Sequence, residues 1–216
     1  MLPKVYICFM YIPTEFELKD HKLIQEFLQQ HSFGMLAVNG TDGFPVLVHI
    51  PFSCRFEGAK SYLEFHVASE NEIVPAIRQA LRGKMVVLGA HGYVSSSVYT
   101  HVNVPTYNYQ AVHVSGKLEE LTSSELQNHL TELVDAFESG RENKVHMNQW
   151  PVDLIEAYKK EITGFRLEIV QTEAAFKLSQ NRNETDFNRI LDDLSTRTPG
   201  ENQLAEAMKQ AKCPVQ

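Results

Sequence analysis

TYNYQAVHVSGKLEEL, at residues 106–121, is the stretch that decides the fold class, because apolar and polar side chains alternate along it. Alternation with a period of two predicts an extended strand with one buried and one exposed face. Other segments have a similar strand-forming composition, and a Gly/Asp turn joins the first two of them. They are FGMLAVN (33–39), FPVLVHIPF (44–52), KSYLEFHVA (60–68), KMVVLGAH (84–91) and GFRLEIVQTEAAFKLS (164–179), the last as one or two strands.

Helical segments interrupt these strands and begin at residues that favour helix capping. Asp20 and Asn183 can each cap a helix, and Thr122 has a glutamate three residues later, as in a capping box. The predicted helices cover residues 20–32, 75–81, 122–138, 151–162, 183–194 and 204–208. Roughly five to seven strands in hairpin-like succession lack the strict alternation of a parallel α/β sheet. The sequence therefore predicts an α+β, mainly β fold: an antiparallel barrel with helices packed outside.

Composition and charge limit the kinds of binding partner and the cellular compartment that the sequence predicts. The net charge of -7 and a pI near 5.7 give no overall attraction for nucleic acid. No helix-turn-helix or zinc-finger spacing is present, so direct DNA binding is disfavoured. The three cysteines, Cys8, Cys54 and Cys213, are far apart, which favours a reducing, cytoplasmic compartment over a disulfide framework. The apolar run VYICFMYI is too short to cross a bilayer, so no membrane anchor is predicted.

The motifs of common nucleotide, hydrolase and metal sites are missing from the sequence. No GxGxxG follows a strand, and neither GxxxxGK[ST] nor GxSxG occurs. The nine histidines never fall into HExxH or HxH spacing, so no metal site is predicted. Candidate proton donors are His66, His91 and Tyr99, and no motif surrounds them. Whether the chain is an enzyme stays open on this evidence.

The loop HGYVSSSVYTHVNVPTYNY, at residues 91–109, is the most informative surface segment. It interleaves hydroxyl and amide groups with flat aromatic rings, which suits a phosphorylated planar cofactor. A solvated loop whose tyrosines pack on the barrel explains the same composition. The candidate cofactor-binding residues here are Tyr93, Ser95, Ser97, Tyr99, Thr106, Tyr107 and Asn108.

Four further candidates lie near strand ends. His49 and His66 each interrupt an apolar strand, and a half-buried, hydrogen-bonded ring explains such a histidine as well as a binding role does. Ser69 and Asn71 lie where a strand ends and a helix begins, a junction that suits an anion. Ordinary helix capping accounts for them equally well.

The run KLSQNR, at residues 177–182, brings two cations, a hydroxyl and two amides together around one leucine. Asn183 with Asp186 explains where the next helix begins, but leaves this run unexplained. Whether Lys177, Gln180 and Arg182 belong to one wall of a site for an anionic ligand or only decorate a helix start stays open at this point, although arginine can bind phosphate through two parallel hydrogen bonds.

Several of these segments, taken in order, resemble the PaiB family of flavin-binding proteins, which are described as transcriptional regulators. The segments are MYIP, FGMLAV, PVLVHIPF, GYVSSSVY, VPTYNYQAVHVSGKL, ITGFRLEI and KLSQNR, from about Met10 to Leu194. The resemblance implies a split, Greek-key β-barrel that dimerises and holds FMN at the subunit interface. It also implies one barrel domain over 10–194, with a helical insertion around 122–163 and a C-terminal tail or helix over 195–216. Separately, Met10 prompts the hypothesis that translation starts there and that residues 1–9 are an upstream extension.

Three positions depart from the pattern of the family. Ser96 stands for its proline, Val98 for its first tryptophan and Tyr107 for the tryptophan of PTWNY. Tyr107 keeps an aromatic face, whereas Val98 does not. These changes bear on FMN affinity more than on the fold.

The resemblance implies an FMN-binding homodimer with a regulatory role, in which the candidate residues above surround the flavin. Two alternatives stay open. One is a flavin-dependent oxidoreductase acting on a small planar substrate, and the other is a barrel that has lost its cofactor and serves as a binding module. Added FMN separates the second alternative from the others, because a cofactor-less barrel stays colourless.

Overall fold

The computed structural model describes residues 10–58 and 60–212. Its seven strands form one sheet in the order β2-β1-β5-β6-β7-β4-β3. The strands are β1 (Phe33–Asn39), β2 (Pro45–Pro51), β3 (Ser53–Glu57), β4 (Lys60–Ala68), β5 (Arg82–Val94), β6 (Thr106–Glu120) and β7 (Ile162–Lys177). The pairings of β1 with β2 and β5, of β3 with β4, and of β4 with β7 are antiparallel. The antiparallel α+β prediction is confirmed.

The described residues also form six α-helices. They are α1 (His21–Gln30), α2 (Ile73–Ala80), α3 (Ser123–Glu138), α4 (Val152–Glu161), α5 (Glu184–Ser195) and α6 (Pro199–Lys212). The predicted caps are present: Asp20 Oδ1 accepts from the backbone N–H of Lys22, and Thr122 forms a full capping box with Glu125. These caps satisfy N–H groups that the first helical turn leaves without a partner.

Strand boundaries are where the sequence prediction falls short. The predicted second strand is followed at once by β3, a separate short strand that the sequence did not distinguish. β5 continues to Val94, so the first part of the predicted 91–109 loop is strand. A single 3-10 turn over Ser96–Val98 follows it. The predicted extension over residues 1–9 lies outside the described residues.

The chain divides into two compact units. In the described residues, the first unit comprises 10–24, 88–112 and 173–212, and the second comprises 25–87 and 113–172. The core of the first unit includes Val94, Val98, Tyr99, Leu178, Phe187, Ile190, Leu194, Leu204, Ala205 and Met208. Val98, one of the departures noted above, is therefore a core residue rather than an exposed one. Its burial contributes to the stability of the first unit.

The second unit contains most of the paired strand segments. Leu36, Leu63, Phe65, Phe165 and Leu167 have no exposed surface in it. Helix α3 packs closely over Gly164 of β7, where a Cβ atom would lie 2.8 Å from Leu126 Cδ1. Glycine at this position is therefore what lets α3 approach the strand. No helix among the described residues is long and apolar enough to cross a membrane.

Candidate functional site

The KLSQNR run forms a tight loop between β7 and α5 in the first unit. Leu178 and Ser179 are buried, whereas the residues on either side of them reach the surface. The backbone N–H of Arg182 donates to the Ser179 carbonyl at 3.0 Å, which closes a turn. Ser179 has a φ of 59°, in the left-handed region that non-glycine residues seldom adopt. Asn183 then caps α5 by accepting from Asp186 N at 2.9 Å, as predicted.

The side chain of Gln180 is used by this loop itself. Its Oε1 accepts from the backbone N–H of Leu178 at 2.7 Å. Its Nε2 donates to the carbonyls of Phe176 and Glu15, at 2.7 and 2.9 Å. The amide thus takes the place of missing backbone partners, and Gln180 shapes the loop.

Lys177 and Arg182 are the two cations of the loop, and both are half-buried. Lys177 Nζ donates to Thr106 Oγ1 at 2.5 Å and lies 5.8 Å from the centre of the Phe16 ring. The Arg182 guanidinium lies 5.1 Å from the centre of the Tyr99 ring. These are a hydroxyl contact and two cation–π contacts, which orient the cations without neutralising them.

Two other half-buried cations in the described part of the chain are neutralised by carboxylates. Arg55 contacts Glu64 and Glu132, and Arg166 contacts Glu119 and Glu125. By contrast, the side-chain contacts of Lys177 and Arg182 among the described residues are with a hydroxyl and aromatic rings, not with a carboxylate. A cation taken partly out of water without a counter-charge costs free energy, which an anionic ligand would offset.

The loop after β5 packs against the same part of the first unit. Asp186 is buried, and its Oδ1 accepts from both the backbone N–H and the hydroxyl of Thr100, at 2.8 and 2.9 Å. These bonds, with those from Asn183 and the nearby His101, hold the pKa of Asp186 below its usual value. Sequence reasoning assigned Asp186 only to the helix start, because its contact with Thr100 joins residues far apart in the chain.

Among the described residues of the first unit, two buried side-chain atoms have no hydrogen-bond partner: Tyr99 Oη and Asn108 Oδ1. Asn108 is 0% exposed, and its Nδ2 donates to Ser179 Oγ at 2.8 Å. Buried polar atoms are usually satisfied, so unpartnered ones mark strain or a missing molecule. The sequence indicated both residues as candidates but gave no sign that they are buried.

The remaining candidates of the first unit lie nearer the surface. Ser95 caps the 3-10 turn, and its Oγ lies 2.8 Å from that of Ser97. Tyr107 is 50% exposed, and its hydroxyl lies 3.1 Å from His91 Nδ1. Tyr93 is exposed as well. Exposed aromatic faces and surface hydroxyls are groups that a planar polar ligand can contact.

Four predicted site residues belong to the second unit, where three of them have structural roles. His49 is exposed on β2 and stacks on Phe33, with ring centres 6.4 Å apart. Ser69 Oγ lies 3.0 Å from Thr163 Oγ1. Asn71 Oδ1 accepts from the backbone N–H of Ile73 at 3.0 Å, which is ordinary capping of α2.

The fourth, His66, belongs to a buried chain of hydrogen bonds. Its Nδ1 lies 3.1 Å from Nε2 of His129, whose Nδ1 lies 3.1 Å from Ser53 Oγ. His129 is 0% exposed. Burial, with smaller contributions from His66 and Arg55, lowers the pKa of His129 to about 3, and burial also lowers the pKa of His66. Both rings are therefore neutral at pH 7, and His129 is too weak a base to activate Ser53.

Comparisons with known proteins identify the class. The FAD and heme binding protein of Mycobacterium smegmatis aligns with a TM-score of 0.57, at 16% identity over 74% of this chain and 73% of that one. The flavocytochrome Anf3 of Azotobacter vinelandii aligns at 0.56, with 17% identity over 81% and 75%. These likenesses show the fold alone: a split β-barrel with peripheral helices.

The family follows from sequence. A family model described as "Putative FMN-binding domain" matches residues 10–171. "Protease synthase and sporulation protein PAI 2" of Bacillus subtilis is 36% identical over 201 residues, covering 93% of this chain and 97% of the relative. The chain belongs to this family of FMN-binding domains, and the resemblance to the PaiB family is confirmed. FMN is the cofactor of that family.

Proposed function

We propose that the first unit binds FMN and that Lys177 and Arg182 hold its phosphate. The observation that carries the proposal is that, among the residues that the structure describes, these two half-buried cations contact a hydroxyl and aromatic rings but no carboxylate. The phosphate is the permanently anionic group of FMN, and arginine can bind it through two parallel hydrogen bonds. The residues present therefore fit the cofactor of the family.

The surrounding side chains suit the rest of such a ligand. Tyr93 and Tyr107 offer exposed rings for contact with a planar group, and Ser95 and Ser97 offer hydroxyls to its polar rim. Bound FMN would supply reversible electron and hydride transfer. The protein would orient the bound cofactor, and Lys177 and Arg182 would stabilise negative charge on that cofactor.

A regulatory rather than a catalytic role is the function we favour. The support is the relative of 36% identity, whose name associates it with protease synthesis and sporulation. We also propose that the chain is a cytoplasmic homodimer that acts through a protein or metabolite partner rather than by reading DNA. The acidic net charge of -7 supports that view. A gel shift with specific, salt-sensitive DNA binding would contradict it.

The binding experiment compares two double variants that each remove two positive charges. Lys177→Ala/Arg182→Ala removes the proposed phosphate ligands, whereas Lys160→Ala/Arg189→Ala removes two exposed cations elsewhere. FMN binding is measured by fluorescence quenching at fixed ionic strength. We expect the first variant to lose at least about tenfold in affinity and the second to change by less than about twofold. Equal losses in both variants would show a non-specific charge effect and would refute the proposal.

A further inference from the structure

A hydrogen bond between Asn108 and Ser179 links β6 to the KLSQNR loop at residues 177–182. Asn108 Nδ2 donates to Ser179 Oγ at 2.8 Å and to Met208 Sδ of α6 at 3.6 Å. Both N–H groups of the amide therefore have acceptors, whereas its Oδ1 has none. Burying an amide with one atom unsatisfied is unfavourable, so its presence here calls for a compensating role.

The backbone conformation of Ser179 indicates what the hydrogen bond from Asn108 does. Its φ of 59° places a residue with a Cβ atom in the left-handed region, where the backbone is strained and reverses direction sharply. Lys177 immediately precedes the two buried residues Leu178 and Ser179. Arg182 follows them at the end of a turn, in which its backbone N–H donates to the Ser179 carbonyl. Lys177 is the last residue of β7, so the conformation of Ser179 sets where Arg182 leaves the backbone relative to Lys177.

We propose that Asn108 is a positioning residue, which holds Ser179 in its left-handed conformation and thereby orients Arg182 relative to Lys177. Its relevance to ligand binding rests on the proposed function, but its mechanical role does not. The role assigned to Asn108 by the sequence, direct cofactor contact, is thereby replaced by an indirect one. Its burial agrees with this, since none of its side chain is exposed.

Substitutions at Ser179 separate this mechanism from a general loss of packing. Ser179→Ala removes the acceptor but keeps the strain, so it should behave like Asn108→Ala. Ser179→Gly removes both the acceptor and the strain, because glycine adopts positive φ freely. With glycine at 179 there is nothing left for Asn108 to hold, so Asn108→Ala should then have little further effect on the loop.

The experiment measures amide hydrogen exchange over residues 177–182 without added ligand, for the wild type, the three single variants and Asn108→Ala/Ser179→Gly. We expect Asn108→Ala and Ser179→Ala each to speed exchange in the loop by roughly fivefold. In the Ser179→Gly background, Asn108→Ala should change it by less than about twofold. An equal effect of Asn108→Ala in both backgrounds would overturn the proposal, as would acceleration spread evenly over α5 and α6.

The FMN affinities of the same variants then distinguish the two proposals. If the wild type binds FMN, Asn108→Ala should weaken binding, and the double variant should bind as Ser179→Gly does. If the exchange result holds but no variant binds FMN, the proposed function fails while the positioning role stands. If Asn108→Ala weakens FMN binding without changing loop exchange, Asn108 contacts the ligand directly and the positioning role is wrong.

Discussion

The polar cluster of the second unit and the polar loop of the first unit differ in how their charges are satisfied. In the second unit, Arg55 is paired with Glu64 and Glu132, and the chain from Ser53 through His129 to His66 links three elements. In the described residues of the first unit, Lys177 and Arg182 contact a hydroxyl and aromatic rings but no carboxylate. A cluster whose charges are paired with one another stabilises the fold. A cluster that leaves cations without counter-charges is instead arranged to bind an anion.

The largest expected effect comes from breaking the satisfied cluster. Glu64 is 3% exposed and is held by Arg55 through two hydrogen bonds. Arg55→Ala would leave this carboxylate buried without its cation, so the free energy of unfolding should fall by about 3 kcal/mol. Urea denaturation measures this change. As a control, Arg78→Ala breaks an exposed pair with Glu120 and should cost less than about 1 kcal/mol.

The histidine chain predicts a pH dependence of stability with a definite sign. Burial lowers the pKa of His129 from 6.5 to about 3 in the folded protein, so on acidification the unfolded chain takes up a proton first. Stability should therefore be full above about pH 6.5 and fall at lower pH, with a slope approaching about 1.4 kcal/mol per pH unit for this one group.

Several polar and charged groups surround the His66–His129 pair, so the pH dependence of stability is tested by changing His129 alone. His66, Ser53 and Arg55 face His129 from β3 and β4, and the Tyr158 ring lies edge-on to His66, with centres 6.5 Å apart. Denaturation curves from pH 7.5 to 4.5 compare the wild type with His129→Gln, which cannot titrate. The difference in stability between them should shrink as the pH falls, and a constant difference would contradict the linkage.

A smaller effect is expected at the Asp186 tether of the first unit. Asp186→Asn weakens the bonds from the Thr100 N–H and hydroxyl, which a carboxylate accepts more strongly than an amide does. The free energy of unfolding should fall by roughly 1–2 kcal/mol, measured by thermal or urea denaturation. Thr100→Val, which removes only the hydroxyl bond, should cost less than Asp186→Asn.

The smallest effect is expected at the surface of the first unit. Tyr107→Phe removes the hydroxyl that lies 3.1 Å from His91 Nδ1 but keeps the exposed ring. Stability should change by less than about 0.5 kcal/mol. FMN affinity should hold within about twofold if the ring, rather than the hydroxyl, contacts the cofactor. A tenfold loss would instead assign the hydroxyl a direct bond to the ligand.

Local signals predicted much of the fold. The alternation in residues 106–120 gave β6, and the caps at Asp20, Thr122 and Asn183 gave the beginnings of three helices. The separate strand β3 was missed because no turn signal stands between Pro51 and Ser53. Propensity is a local property, whereas a short strand exists through its pairing with β4.

The candidate site was less predictable, since its contacts join distant residues. The sequence indicated Lys177 and Arg182 by their charge, but it could not show that they lack carboxylate partners. It also gave no sign that Ser179 has a positive φ or that Asn108 is fully buried beside it. Gln180 has a side chain of a type that suits ligand binding, but that side chain hydrogen-bonds to the backbone of the loop instead.

The most direct test of the central claim is the ratio of the affinities for FMN and riboflavin, which differ only by the phosphate. Fluorescence titrations would compare the wild type with Lys177→Ala/Arg182→Ala. We expect the wild type to prefer FMN by at least about tenfold and the double variant to lose most of that preference. A double variant that keeps the full preference for FMN would show that another part of the protein holds the phosphate, and would contradict the claim.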